Sequence, residues 1–187
     1  MQAMIICGYP GIGKTTYCNS NPPFICKDSD SSNFSWIYDA SGNKIERNPD
    51  FPNNYIEQIR KLMYKTDIIF VSTHKEVRDA LYEARIPHVI IYPSDGAKDY
   101  YFNIYKARGS SKEFIEMQEE NWDNFHKQLQ EIDENDIVFI HKIYSFEDEV
   151  PHITSTAIEQ IGERMYNAGI DVFTHFKLHH PTLVEYK

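Results

Sequence analysis

The stretch Met4-Ile5-Ile6-Cys7-Gly8-Tyr9-Pro10-Gly11-Ile12-Gly13-Lys14-Thr15-Thr16 decides the fold. Its first four residues form a short apolar run with β-branched content, which predicts a buried strand. The next eight match G-x-x-x-x-G-K-T, and a short helix is expected over 14–19 before the Ser20-Asn21-Pro22-Pro23 breaker. A polyphosphate concentrates negative charge in a small volume and needs many donors without bulky side chains in the way. Glycines let the backbone curl so that successive N–H groups point inward, and the helix start adds unsatisfied donors. The expected cradle is the backbone of Gly8, Gly11, Ile12, Gly13, Lys14, Thr15 and Thr16. Lys14 is expected to bridge the β- and γ-phosphates of a nucleoside triphosphate, and Thr15 to place its hydroxyl on Mg²⁺.

Outward from this loop, apolar runs alternate with helical patterns. Strands are expected over 24–27, 67–72, 89–92 and 137–140, and helices over 52–65, 75–84, 95–106, 111–132 and 155–168. That alternation predicts an α/β fold with a parallel sheet covered by helices on both faces. Residues 33–50 read as an inserted hairpin turning at Asp39-Ala40-Ser41-Gly42-Asn43, and residues 95–132 as a helical lid region. The alternating segment 170–178 adds a sixth, edge strand. The whole chain, 1–187, is expected to form a single domain.

Composition narrows the function. The net charge of −9 lacks the broad basic field of a duplex-binding protein and leaves room for a local basic pocket. No apolar run approaches the roughly 18–20 residues of a membrane span. Cys7, Cys18 and Cys26 are odd in number and hold no C-x-x-C, so neither a disulfide framework nor a zinc site is expected. Cys7 and Cys26 read as small strand fillers, and a reducing cytoplasm fits. His175, His179 and His180 lack the carboxylate or thiolate that would complete a metal set. The acids Glu113, Glu116, Glu119, Glu120 and Asp123 read as the solvated face of the long helix.

The chemistry-bearing candidates gather at the carboxyl ends of the expected strands, where open α/β sheets bind ligands. Asp28 and Asp30 follow the second strand. One could accept a proton from an attacking hydroxyl and the other hold a magnesium-bound water, with Asp28, nearer the strand end, favoured as the base. After the third strand the sequence reads Ser72-Thr73-His74, with no acid where a Walker B carboxylate would stand, and Ser72 or Thr73 could reach magnesium through water. Transfer of a phosphoryl group also needs positive charge around it. Arg108, followed by Gly109-Ser110-Ser111 between two helices, is the expected lid cation; Arg60, Lys75 and Arg78 are further candidates. Trp36 and Tyr38 on the hairpin could stack on a base or form a small local core.

With these motifs in place the chain resembles the small P-loop kinases, namely the nucleoside monophosphate kinases and the kinase domain of phage polynucleotide kinases. The matching features are the loop at 8–15, Asp28-x-Asp30, and Arg108-Gly109. The segments 24–36 and 67–81 also resemble small kinase-like proteins of phages and large viruses. The resemblance implies the P-loop NTPase fold, a five-stranded parallel core in order 2-3-1-4-5, ATP and Mg²⁺ as cofactors, and a closing lid. In the polynucleotide kinases the aspartate after strand two is the base for a 5′-hydroxyl, a role that would fall here on Asp28 or Asp30. In the monophosphate kinases arginines bind the acceptor, a role Arg78 would match. The expected activity is phosphoryl transfer from ATP to a nucleotide-like small molecule, a (deoxy)nucleoside monophosphate first. A 5′-hydroxyl polynucleotide kinase is the first alternative, and a nucleotide-binding module without transfer activity the second. Duplex nucleic acid and membranes are not expected partners, whereas an oligonucleotide 5′ end is admissible.

Overall fold

The computed structural model describes residues 2–93, 95–132, 138–142, 153 and 155–167. The expected edge strand at 170–178 and the three tail histidines lie outside them. Strand β1 (Met4–Gly8) is buried along its whole length at the centre of a five-stranded sheet. Its neighbours are β5 (Ile68–Val71) and β6 (His88–Tyr92), with β2 (Cys26–Asp28) and β7 (Val138–Lys142) at the edges. All four pairings are parallel, in the order β2-β5-β1-β6-β7. With the hairpin strands left out of the count, that is the expected 2-3-1-4-5. The three inner strands read Met-Ile-Ile-Cys-Gly, Ile-Ile-Phe-Val and His-Val-Ile-Ile-Tyr because a strand buried on both faces has no solvent side to alternate with.

Helix α1 (Lys14–Asn19) leaves β1 and packs Tyr17 edge-on against Phe70 of β5, with ring centroids 6.0 Å apart. Helices α3 (Asn53–Leu62) and α4 (Lys75–Glu83) carry the chain back across the sheet in the opposite direction. Right-handed crossovers running in opposite directions place α1 on one face and α3 and α4 on the other. Between β2 and α3 lie a single helical turn, α2 (Ser32–Ser35), and the antiparallel hairpin β3 (Trp36–Tyr38) and β4 (Lys44–Arg47).

After β6 a 3₁₀ turn at Asp95–Ala97 leads into α5 (Lys98–Ala107) and then α6 (Lys112–Gln130). Ser111 caps α6, its hydroxyl accepting the Phe114 N–H at 3.2 Å. Helix α7 (Ser155–Asn167) closes the described chain. The core face of α6 carries two polar residues, Gln118 and His126, beside Trp122 and Leu129. Each is satisfied: Tyr9 Oη donates to Gln118 Oε1 at 3.1 Å, and the His126 ring lies 2.8 Å from the Trp122 carbonyl and 3.0 Å from that of Pro93.

One expectation is corrected here. Cys18 and Cys26 form a disulfide, with Cα atoms 5.3 Å apart, although the odd count and the missing C-x-x-C led to no expectation of a disulfide framework. The turn over 20–25 brings the end of α1 beside the start of β2, a proximity that counting cysteines does not register. Cys26 is therefore a cross-linking residue, while Cys7 is the buried free thiol, pushed up to about 12 chiefly by burial. Among the described residues no helix is long and apolar enough to cross a membrane.

Candidate phosphate site

The glycine loop stands at the carboxyl edge of the sheet and turns where the motif requires. Gly11 and Gly13 adopt φ of +84° and +95°, the left-handed region that a side chain disfavours. Gly11 is excluded from substitution on a second ground, since a Cβ there would lie 2.8 Å from Tyr105 Cε1 and 3.2 Å from Tyr101 Cδ1. Gly8 answers to a different neighbour: its missing Cβ leaves the space that Lys14 crosses, 2.7 Å from that side chain's Cδ.

Lys14 Nζ reaches back over the loop and donates to the carbonyls of Gly8 at 2.7 Å and Tyr9 at 3.1 Å. Burial lowers its pKa below the ordinary lysine value of 10.5; Asp28 and Asp30 oppose that shift and Arg108 adds to it. One cation, two carboxylates and a second cation thus act on the same small region. Among the described residues, the N–H groups of Gly13, Lys14, Thr15 and Thr16 take no backbone acceptor, which leaves a run of donors at the head of α1.

The loop is braced by α5. Tyr105 Oη donates to the Pro10 carbonyl at 2.9 Å, and Tyr101 and Tyr105 wall off Gly11. Tyr9 packs edge-on against Trp122 at 5.6 Å and Tyr101 at 6.2 Å. Ile153 N donates to the Ile12 carbonyl at 3.3 Å, so a later segment also touches the loop. Tyr101 and Tyr105 escaped the sequence reading, although their spacing of four on one helix face was the available signal.

Asp28 arrives beside the loop because β2 ends there. Its Oδ2 accepts a hydrogen bond from Thr15 Oγ1. Asp30 is exposed, and its Oδ1 accepts the Ser32 N–H at 2.8 Å. Between them Ser29 is buried, its N–H on the Phe70 carbonyl at 2.9 Å and its own carbonyl taking the Tyr55 hydroxyl at 2.5 Å. With Ser29 turned inward, Asp28 and Asp30 share the side that faces Lys14; Asp28 is engaged by Thr15, and Asp30 is the more exposed of the two. At the end of β5, where a Walker B acid would stand, Ser72 Oγ is buried and has no hydrogen-bond partner among the described residues. A magnesium ion fits this donor set: the Thr15 hydroxyl, the Asp28 carboxylate and the unspent Ser72 hydroxyl are hard oxygens of the type Mg²⁺ takes directly or through water.

The four expected cations part company. Arg108 is exposed and held between α5 and α6, with Nε donating to Ser110 Oγ at 2.8 Å and the guanidinium 4.9 Å from the Tyr105 ring and 5.5 Å from that of Phe114. Stacked on the residue that braces the loop, it contributes charge at Lys14. Arg78 is buried, and its Nε donates to the Thr73 carbonyl at 3.0 Å, which ties it to the start of its own helix. Lys75 pairs with Asp79 at 2.6 Å on the exposed face of α4.

Arg60 does not join the site. It lies in the last turn of α3, and the Met63 carbonyl just beyond that helix accepts the Ala3 N–H at the amino edge of β1. Because α3 runs antiparallel to the strands, its last turn lies at the edge opposite the loop. No protein-family model matches this chain, and a search of curated proteins finds no match.

Proposed function

We propose that this chain is a P-loop kinase that transfers the γ-phosphoryl group of ATP to a nucleotide-like acceptor. The observation that carries the reading is the meeting of the Gly8-to-Thr15 loop with the Asp28 carboxylate through the Thr15 hydroxyl. In this reading the N–H groups of the loop hold the β- and γ-phosphates, and Lys14 leaves the Gly8 and Tyr9 carbonyls to bridge them. Thr15, Asp28 and Ser72 would hold Mg²⁺, which when bound supplies charge neutralisation at the phosphates. Arg108 swings from its rings to meet charge on the transferring group, as a lid cation does. The sheet order supports the P-loop NTPase fold.

The carboxylates take separate roles, and the base differs from the one favoured by sequence. Asp28 is engaged with the metal-side threonine. Asp30, exposed at the next outward position, is the group free to accept a proton from an acceptor. This bears on the acceptor itself. A monophosphate needs cations and no base, since its attacking oxygen is already ionised. Arg60 is remote from the loop and Arg78 spends its Nε–H on the Thr73 carbonyl, while two acids stand beside the loop. Those observations favour the hydroxyl acceptor of the first alternative over a nucleoside monophosphate.

The test is transfer of label from [γ-³²P]ATP to a panel of nucleosides, nucleoside monophosphates and 5′-hydroxyl oligonucleotides. Label on hydroxyl acceptors supports the reading. ATP binding with no transfer to any member supports the binding-module alternative instead.

A further inference from the structure

Two links join α1 to β2 along one seam. On the helix, Thr15 and Cys18 stand three residues apart and share a face. On the strand, Cys26 and Asp28 stand two residues apart and share a side. Thr15 Oγ1 donates to Asp28 Oδ2, and Cys18 is bonded to Cys26, so the hydrogen bond and the disulfide are successive rungs. The hydrogen bond lies at the loop end, among the oxygens that suit Mg²⁺. The covalent link lies about one helical turn behind it.

Both elements are short and depend on their neighbours. Helix α1 has six residues, well below the roughly 12–15 at which an isolated helix begins to hold in water. Strand β2 has three residues at the sheet edge, so its ladder runs to β5 alone. The cysteines are only eight apart in sequence, and closing so short a loop removes less chain entropy than a long-range cross-link does. The effect of the bond is therefore local: it fixes α1 against β2 behind the Thr15–Asp28 pair. Both cysteines are half-buried, within reach of a small thiol. Cys7 lies two strands away in β1, fully buried, with its thiol held protonated. An opened pair thus has no competing thiolate and closes again on itself.

We propose that the Cys18–Cys26 bond is a redox clasp on the nucleotide site: closed, it holds Thr15 and Asp28 together for the metal, and opened, it lets α1 and β2 part so that Mg²⁺ and the triphosphate bind more weakly. This rests on the reading of the Gly8-to-Thr15 loop and names the regulation of that site. The opening step is exchange with a dithiol reductant. One thiolate of the dithiol attacks a sulfur of the pair, the Cys18–Cys26 bond breaks, and a mixed disulfide forms while the other cysteine leaves as thiolate and takes up a proton. The second thiol of the reductant attacks the mixed disulfide and releases the second cysteine. The protein gains two electrons and two protons, and the dithiol departs as a disulfide. A disulfide oxidant runs the sequence backwards. With the covalent rung cut, the Thr15–Asp28 hydrogen bond must hold the seam, and oxygens no longer preorganised bind a hard cation less tightly.

The experiment compares the protein prepared without reductant with the same protein after dithiothreitol, with alkylation and mass measurement fixing the state of the bond. A non-hydrolysable ATP analogue is titrated at a series of Mg²⁺ concentrations, and amide hydrogen exchange is followed over 14–19 and 26–29. Reduction should raise the Mg²⁺ concentration for half-maximal tightening about tenfold or more. It should also speed exchange in those two segments while β1, β5 and β6 keep their protection. Glutathione disulfide should restore both. The double variant Cys18→Ser, Cys26→Ser should match the reduced protein and ignore dithiothreitol, which assigns the effect to this bond. An unchanged Mg²⁺ dependence in fully reduced protein, or a double variant that still responds to dithiothreitol, would overturn the clasp. Global loss of the circular dichroism signal on reduction would also overturn it, by making the bond a staple of the whole fold. Local loosening on reduction in a protein that binds no ATP analogue in either state keeps the redox hinge and removes the triphosphate reading. Equally tight nucleotide binding in both states keeps that reading and removes the clasp.

Discussion

Replacing Gly11 by alanine separates two reasons for the glycine, and the structure assigns a magnitude to each. The first is backbone: at φ of +84° a side chain costs about 1–2 kcal/mol. The second is steric, since the new methyl would sit 2.8 Å from Tyr105 Cε1 and 3.2 Å from Tyr101. These rings are fully buried and cannot retreat into solvent, so the overpacking penalty is about 1–3 kcal/mol. Gly11→Ala should therefore lose about 2–5 kcal/mol in urea denaturation followed by circular dichroism. In a Tyr105→Leu background the ring edge is gone while the positive φ remains. There Gly11→Ala should cost only about 1–2 kcal/mol, a coupling of about 1–3 kcal/mol between the positions. Because Tyr105 also holds the Pro10 carbonyl, the single variants should weaken binding of an ATP analogue as well. Additivity within about 0.5 kcal/mol would show that the lid does not press on the loop, and would refute the reasoning.

The other expectations are narrower. Asp28→Asn should raise the Mg²⁺ concentration needed for half-maximal tightening of nucleotide binding, because its carboxylate faces Thr15, whereas Asp30→Asn should lower kcat and leave that concentration unchanged. Equal metal dependence in the two variants contradicts the division of roles. Burial lowers Lys14 below 10.5, so its charge is lost earlier than an ordinary lysine's as pH rises. Affinity for the ATP analogue should then fall through a midpoint below pH 10.5; a midpoint at or above it would count against the buried cation. Of the three cysteines two are cross-linked and Cys7 is buried with its pKa raised to about 12. A thiol reagent should find no reactive group in the native protein at pH 8, one after denaturation, and three after denaturation with reductant. Three thiols without reductant would remove the Cys18–Cys26 bond.

Much of this arrangement was legible because local and global signals agree. The apolar strand, glycine loop and short helix over 4–19 could fold in few other ways, and the doubly buried strands β5 and β6 announce themselves by lacking any polar alternation. The positions of side chains depended on longer-range geometry. Arg60 was placed by its proximity in sequence to the insertion, yet helix direction puts the last turn of α3 at the far edge. Arg78 was placed correctly at the head of α4, but its side chain turns onto Thr73 rather than outward. The polar residues Gln118 and His126 lie on the core stripe of α6 because Tyr9 and the carbonyls of Pro93 and Trp122 satisfy them, and a hydrophobic pattern cannot anticipate partners as distant in sequence as Tyr9 and Pro93. On the hairpin, a bulge pairs Lys44 with Tyr38, and no composition rule reveals a one-residue shift.

The central claim is that the loop from Gly8 to Thr15 holds a triphosphate through Lys14. Isothermal titration of the protein and of Lys14→Ala with a non-hydrolysable ATP analogue and Mg²⁺ tests it most directly, with circular dichroism confirming that both are folded. The account predicts one binding site per chain in the parent protein and none measurable in the variant. Equal affinity in a folded Lys14→Ala protein, or no binding to the parent at all, would contradict it.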